Sequence, residues 1–143
     1  LAWTCAVSVD GAGCLIMGAS GAGKSTLSFE MIALGAELIA DDRVDLSADN
    51  ERILLSCPDA IRGRIEARGI GLIETTSKPS ASPCALIVDL DHSDERLPAP
   101  RQRDLLGISC PVIFGLRRPG LAAILTLLLR QGRLLDPGKG IDP

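Results

Sequence analysis

Gly18-Ala19-Ser20-Gly21-Ala22-Gly23-Lys24-Ser25 decides how the chain is read. It fits G-x-x-x-x-G-K-[ST], the phosphate-binding loop (P-loop) of nucleoside triphosphate enzymes. Glycines let successive backbone N–H groups turn onto phosphate oxygens with no Cβ in the way. The Lys24 ammonium reaches the β- and γ-phosphates as a point charge. The Ser25 hydroxyl is an oxygen donor of the kind Mg²⁺ takes. All eight residues are therefore candidate nucleotide contacts. Immediately before them, the apolar run Cys14-Leu15-Ile16-Met17 predicts a buried strand. Immediately after, Leu27, Met31 and Leu34 fall at helical spacing, and Gly35 supplies a stop. The positive end of that helix would face the anion.

Phosphoryl chemistry also needs carboxylates. Two apolar runs end in acid, Leu38-Ile39-Ala40-Asp41-Asp42 and Leu86-Ile87-Val88-Asp89. The first follows the loop helix, so a short connection brings its C-terminal end to the sheet edge where ligands of α/β folds sit. Adjacent aspartates can divide the work there: one faces metal or structure, the other an incoming hydroxyl. A solvated turn is the plainer alternative. Asp89 is expected mainly to open the polar loop beginning at Asp91, and His92 to be a surface residue of that loop. Asn50 is the chain's sole asparagine and lies in no N-K-x-D run, which disfavours guanine-reading GTPase chemistry.

The 143 residues suit one domain with a real core. A net charge of −3 exerts no general pull on nucleic acid. The longest apolar run, residues 121–129, is too short to cross a bilayer. Neither nucleic acid nor membrane is therefore expected as a partner. Arginines gather locally at Arg62, Arg64 and Arg68, at Arg101 and Arg103, and at Arg117 and Arg118, mostly as solvated surface. Five scattered cysteines without a C-x-x-C pair favour small hydrophobes in a reducing cytoplasm. With His92 the sole histidine, a His/Cys zinc site is disfavoured. No signal-peptide pattern occurs. The first residue is Leu, so a longer parent chain is expected.

Along the chain, residues 3–9 predict a strand turning at residues 10–13 into the loop strand. Residues 38–40, 53–55, 72–73, 85–90 and 112–114 predict further strands, the first with an extension through Val44 and Leu46. Residues 47–51 read as a turn. Residues 61–71, with three arginines and three glycines, read as a functional loop. Residues 75–83 read as a mobile loop and 91–107 as irregular. An amphipathic helix starts at Leu121, carries Ile124, Leu125 and Leu128 on its face, and stops at Gly132. The fold class expected is α/β: residues 1–135 form one domain with a mixed sheet and few helices, and residues 136–143 form a disordered tail.

The P-loop GASGAGKS, the run LIADDRVDL and the run RIEARGIGLI together resemble the HPr kinase/phosphorylase family, in its short proteobacterial form that lacks the N-terminal domain. The resemblance covers residues 3–96. It implies a P-loop kinase domain similar to the nucleotide domain of phosphoenolpyruvate carboxykinase. It also implies ATP and Mg²⁺ as cofactors, a serine of the phosphocarrier HPr as acceptor, and a homo-oligomer, a hexamer in this family. Residue by residue, Lys24 matches the phosphate-binding lysine and Ser25 a Mg²⁺ ligand. Asp42 matches the catalytic proton acceptor, with Asp41 its neighbour in the motif. Glu66 matches the second Mg²⁺ ligand, and Arg96 a catalytic arginine that would neutralise transferring charge. A surface salt bridge with Arg64 or Arg68 is the plainer reading of Glu66.

Two departures count against the reverse, dephosphorylating reaction. A family histidine is replaced by Trp3, and an indole does no acid–base work. A P-V-x-x-G-R-N-type loop is only faintly echoed by Pro111-Val112-Ile113-Phe114-Gly115-Leu116-Arg117. The reading is thus an ATP- and Mg²⁺-dependent protein serine kinase of the cytoplasm acting on an HPr-like partner. A small-molecule P-loop kinase and a nucleotide-binding regulatory module with little catalysis are the alternatives.

Overall fold

Cys5–Val9 (β1) and Ala12–Met17 (β2) form a hairpin closed by Asp10 and Gly11, both at positive φ. Two such residues in a two-residue turn match the right-handed twist of the flanking strands. The computed structural model describes residues 1–78, 80–93 and 101–130 of the chain. The glycine-rich loop leads from β2 into the helix Lys24–Ala33 (α1). Gly35, at φ 107°, ends that helix by donating its N–H to the Ile32 carbonyl, because glycine enters the left-handed region at no Cβ cost. Glu37–Ala40 (β3) then pairs antiparallel with β1.

The remaining strands are Asp45–Asp49 (β4), Arg52–Ser56 (β5), Arg64–Ala67 (β6), Gly71–Glu74 (β7), Ser82–Asp89 (β8), Arg101–Leu105 (β9) and Ile108–Phe114 (β10). A second helix, Leu121–Arg130 (α2), follows. The main sheet runs β3-β1-β2-β8-β10-β9, with β5 adding to the start of β8 and β4 to β5. β2 and β10 both pair parallel with β8, whereas β1 and β9 run antiparallel to their neighbours. Strands β3, β2, β8 and β10 therefore share one direction, and their C-terminal ends form one edge. Helices α1 and α2 pack on one face over Val7, Cys14, Ile16, Leu38 and Val88. The opposite face buries Leu15, Ile39, Ile53, Leu55 and Ile87. This is a mixed sheet with two helices among the described residues, as expected.

Several elements differ from the sequence reading. Residues 45–49 form β4, a strand mostly open to solvent, and the turn lies at Asn50 (φ 57°). Residues 61–71 are half of a hairpin: β6 pairs with β7, and Ile65 is fully buried. Residues 101–105 form β9, with alternating partial exposure and a turn at Leu106-Gly107, both at positive φ. An edge strand is held by one backbone ladder and needs no apolar alternation, so polarity hides it. Residues 75–78 are tied down: Thr75 donates to Gly63, Leu38 to Thr76 and Lys78 to Leu38. The expected helix stop at Gly132 and the tail at 136–143 lie outside the described residues, as does Arg96. No described helix is long and apolar enough to cross a membrane.

Gly13 sits where β2 meets β8, and a Cβ there would lie 2.7 Å from the Pro83 carbonyl oxygen and 3.0 Å from Leu55 Cδ1. Backbone cannot yield as a side-chain tip can. Gly13→Ala is therefore expected to lower unfolding free energy by about 1–3 kcal/mol, whereas the same change at Gly120, with no neighbour within 4 Å but a φ of 70°, should cost only the smaller left-handed penalty. Urea denaturation of both variants checks this; an equal or reversed order would contradict the packing.

Candidate active site

The glycine-rich loop hands over to α1 at Gly23, which is left-handed (φ 99°). No side chain caps that helix start, and its first turn carries no acid. A helix N-terminus left open in this way suits an external anion. Lys24 lies across the loop, donating to the Gly18 carbonyl (2.7 Å) and the Ala19 carbonyl (2.9 Å). Two of its three N–H groups thus hold the ammonium at the loop's centre. Ala22 N–H also donates to Ala19 O, at 3.0 Å.

The end of β3 meets this loop through Asp41. Ser25 Oγ donates to Asp41 Oδ1 at 3.3 Å and Cys5 Sγ to the same oxygen at 3.1 Å. The Glu66 backbone N–H donates to Asp41 Oδ2 at 3.2 Å, so β6 is drawn to the same place. Burial pushes the Cys5 thiol up to about 12, so near neutral pH it stays protonated and donates. Asp41 is thus engaged on both oxygens, while the exposed Asp42 carboxylate has no protein partner among the described residues. Asp42 is left-handed at φ 73°, and its carbonyl accepts the Trp3 N–H at 2.7 Å. Trp3 is itself left-handed (φ 62°) and 72% exposed. For a bulky residue this conformation is strained.

Magnesium fits the donors gathered here. The Ser25 hydroxyl and the Asp41 carboxylate are hard oxygen ligands, and Mg²⁺ keeps several waters of its own. The protonated Cys5 offers no competing thiolate. Glu66 stands one strand away with its side chain exposed, and among the described residues it forms no ion pair with Arg64 or Arg68. No described cluster of three or more His, Cys, Asp or Glu side chains forms a metal site, so an ion here would rest on Ser25 and its carboxylate neighbours together with water.

A second cluster was not anticipated. Asp89, at the end of β8, is 4% exposed and opposite Met17 in the parallel ladder. Its Oδ2 accepts from Arg103 at 3.0 Å and lies 3.0 Å from His92 Nδ1, and its Oδ1 accepts the Asp91 N–H at 2.8 Å. Burial by itself would raise this carboxyl, but the hydrogen bonds from Asp91, Arg103 and His92 outweigh it and hold it below its ordinary value. Asp91 in turn accepts the Ala19 N–H on both oxygens, at 2.9 and 3.1 Å. His92 stacks on Phe114 at 5.0 Å, and Arg101 lies 4.0 Å above the same ring. Beside this cluster lies a cavity of about 380 Å³ whose walls include Trp3, Met17, Asp89, His92 and Arg103. Asp89 is therefore a buried charge and not a loop opener. Its signal was the apolar run ending in acid at 86–89; what the run lacked was any sign that Arg103, 14 residues on, would return to it.

Comparison with known proteins places this geometry among relatives. A family model described as the HPr serine kinase C-terminal domain matches residues 2–96. A protein of Variovorax paradoxus (strain S110) named HPr kinase/phosphorylase is 40% identical over 116 residues, covering 71% of this chain and 36% of that protein. One of the same name from Clostridium botulinum (strain Eklund 17B / Type B) is 44% identical over 70 residues, covering 49% of this chain and 23% of that protein. The chain thus spans at most 36% of the length of these two relatives. The solved structure of the Hpr(Ser) kinase/phosphatase from Coxiella burnetii superposes with a TM-score of 0.73 at 26% identity, covering 88% of this chain and 91% of that one.

The Asp89 carboxyl sits lower in the fold than in the unfolded chain. Its bonds therefore add stability above the ordinary carboxylate range, and that stability drains away as pH falls through the folded value. Wild-type unfolding free energy is expected to drop on acidification below about pH 4. Asp89→Asn should be less stable at pH 7 by about 1–3 kcal/mol and fall less steeply in acid. Urea melts at both pH values test this; identical acid slopes would remove Asp89 from the account.

Proposed function

The chain belongs to the HPr kinase/phosphorylase family, and on that premise we propose that residues 1–135 are a P-loop kinase domain, akin to that of phosphoenolpyruvate carboxykinase, that transfers the γ-phosphoryl group of ATP to a serine of an HPr-like phosphocarrier in the cytoplasm. The observation that carries the reading is the Ser25–Asp41 contact, which sets the end of β3 against the loop. Asp42, the next residue, is exposed and its carboxylate has no protein partner among the described residues.

In this reading residues 18–25 bind the nucleotide. Lys24 exchanges its loop carbonyls for phosphate oxygens, and the backbone N–H groups at the start of α1 take the remaining charge. Ser25, with Glu66 as second ligand, would hold Mg²⁺, which when bound neutralises charge on the phosphates. Asp42 accepts the proton of the acceptor serine as its oxygen bonds to the γ-phosphorus and the bond to the ADP oxygen breaks. Arg96, by family resemblance, would neutralise charge on the group in transfer. Trp3 stands beside Asp42 and cannot carry a proton, which supports a forward reaction with little phosphorolysis. A hexameric assembly is part of the same proposal.

Asp42→Asn is expected to lower phosphoryl transfer to HPr by a factor on the order of 10²–10⁴ with ATP affinity nearly intact. Lys24→Ala should weaken ATP binding and transfer together. The assay is label transfer from γ-labelled ATP with Mg²⁺ to HPr, with HPr whose acceptor serine is alanine as control. Unchanged turnover in Asp42→Asn would remove that residue from its role. Label on a sugar or nucleoside but not on HPr would favour a small-molecule kinase, and ATP binding without any transfer a regulatory module.

A further inference from the structure

Ala19, the second residue of the glycine-rich loop, is held from three directions. Its carbonyl accepts from Lys24 Nζ (2.9 Å) and from Ala22 N–H (3.0 Å). Its N–H is taken by both oxygens of Asp91, 72 residues away in the turn just past the end of β8. Among the described residues the loop's other backbone anchors are local, so there Asp91 is what ties this peptide to the rest of the sheet.

The tie is itself braced. The Asp91 N–H donates to Asp89 Oδ1, and Asp89 is gripped by Arg103, whose other nitrogen reaches Met17 Sδ at 3.1 Å. Leu90 N–H donates to Met17 O at 2.9 Å, which fixes the end of β8 against the end of β2. Packing closes the remaining freedom. A Cβ at Gly18 would meet Ala22 Cβ at 3.0 Å, Leu90 Cβ at 3.2 Å and Asp91 Oδ1 at 3.6 Å, so the loop's first residue is pressed against the same segment. A charged carboxylate on a backbone N–H is a stronger anchor than a neutral acceptor. Asp91 is exposed while Asp89 is buried, so the anchor projects from a rigid base.

We infer that Asp91 is a positioning residue of the glycine-rich loop, holding the Ala19 peptide so that the N–H groups of residues 21–25 are set for phosphate before it arrives. The effect is preorganisation: ordering that the nucleotide would otherwise have to impose is already in place. Asp91 touches no reacting atom and acts through the loop. This inference rests on the nucleotide-binding reading above for its consequence, but not for the anchoring itself.

The test separates the two. Amide hydrogen exchange of the chain without nucleotide is compared for wild type, Asp91→Ala and Asp91→Glu, alongside melting temperature, MgATP affinity, and KM and kcat for transfer. Asp91→Ala is expected to speed exchange at Ala19 and its loop neighbours by about 10- to 100-fold, with β4 and β5 unchanged. The KM for ATP should rise about tenfold with kcat within twofold, and Asp91→Glu should recover part of both. Unchanged exchange at Ala19 would overturn the inference. Uniformly faster exchange across the sheet would also overturn it, since it would make Asp91 a general support and not a loop anchor. Selective loop exchange in a protein whose wild type binds no MgATP would uphold the anchor and refute the nucleotide reading instead.

Discussion

The parallel ladder between β2 and β8 is the constraint on which the site depends. It sets Met17 level with Asp89, so both strands stop at one edge and release their loops side by side. Its central residues, Leu15, Ile16, Ile87 and Val88, are buried from both faces, and a one-residue slip would move each to the opposite face and undo its packing. Burial thus fixes the register, and the register fixes where the glycine-rich loop begins relative to Asp91. On the far side β1 intervenes antiparallel, which restores β3 to the direction of β2 and brings Asp41 to the same edge. Contacts made 16 and 72 residues apart in sequence therefore converge on one short loop.

Four aspartates crowd this edge, and their surroundings separate them. Asp41 is consumed by a hydroxyl, a thiol and an amide. Asp42, one residue on, is left-handed and exposed, and its carboxylate has no such donor among the described residues. Asp89 is buried and held by Arg103 and the His92 ring, whereas Asp91 spends its charge on one loop amide. Asp41, Asp89 and Asp91 each have their own donors, so these like charges do not compete for one position.

The candidate site was legible where chemistry is local. Residues 18–25 announce themselves because a phosphate cradle needs glycines, a lysine and a hydroxyl in one run, and Asp41-Asp42 because an apolar strand ends there in acid. Which of the two aspartates faces Ser25 was not legible, since it depends on how the end of β3 meets the loop. The link from Ala19 to Asp91, and from Asp89 to Arg103, left no local trace. Polar edge strands escaped for a related reason: β4, β9 and β6 bury few side chains, so no alternation marks them, although each is held by a full backbone ladder.

By itself, then, the sequence determined the strand–loop–helix unit around residues 18–25, the mixed α/β class and the family, because these rest on spacing, glycine geometry and burial over short stretches. Tertiary structure alone decided that Asp41 is bound and Asp42 open, that Asp89 is a buried ion-paired acid, and that Asp91 anchors the loop. The physical reason is that a hydrogen bond between distant residues depends on strand order and register, and these follow from how the whole sheet buries its two faces.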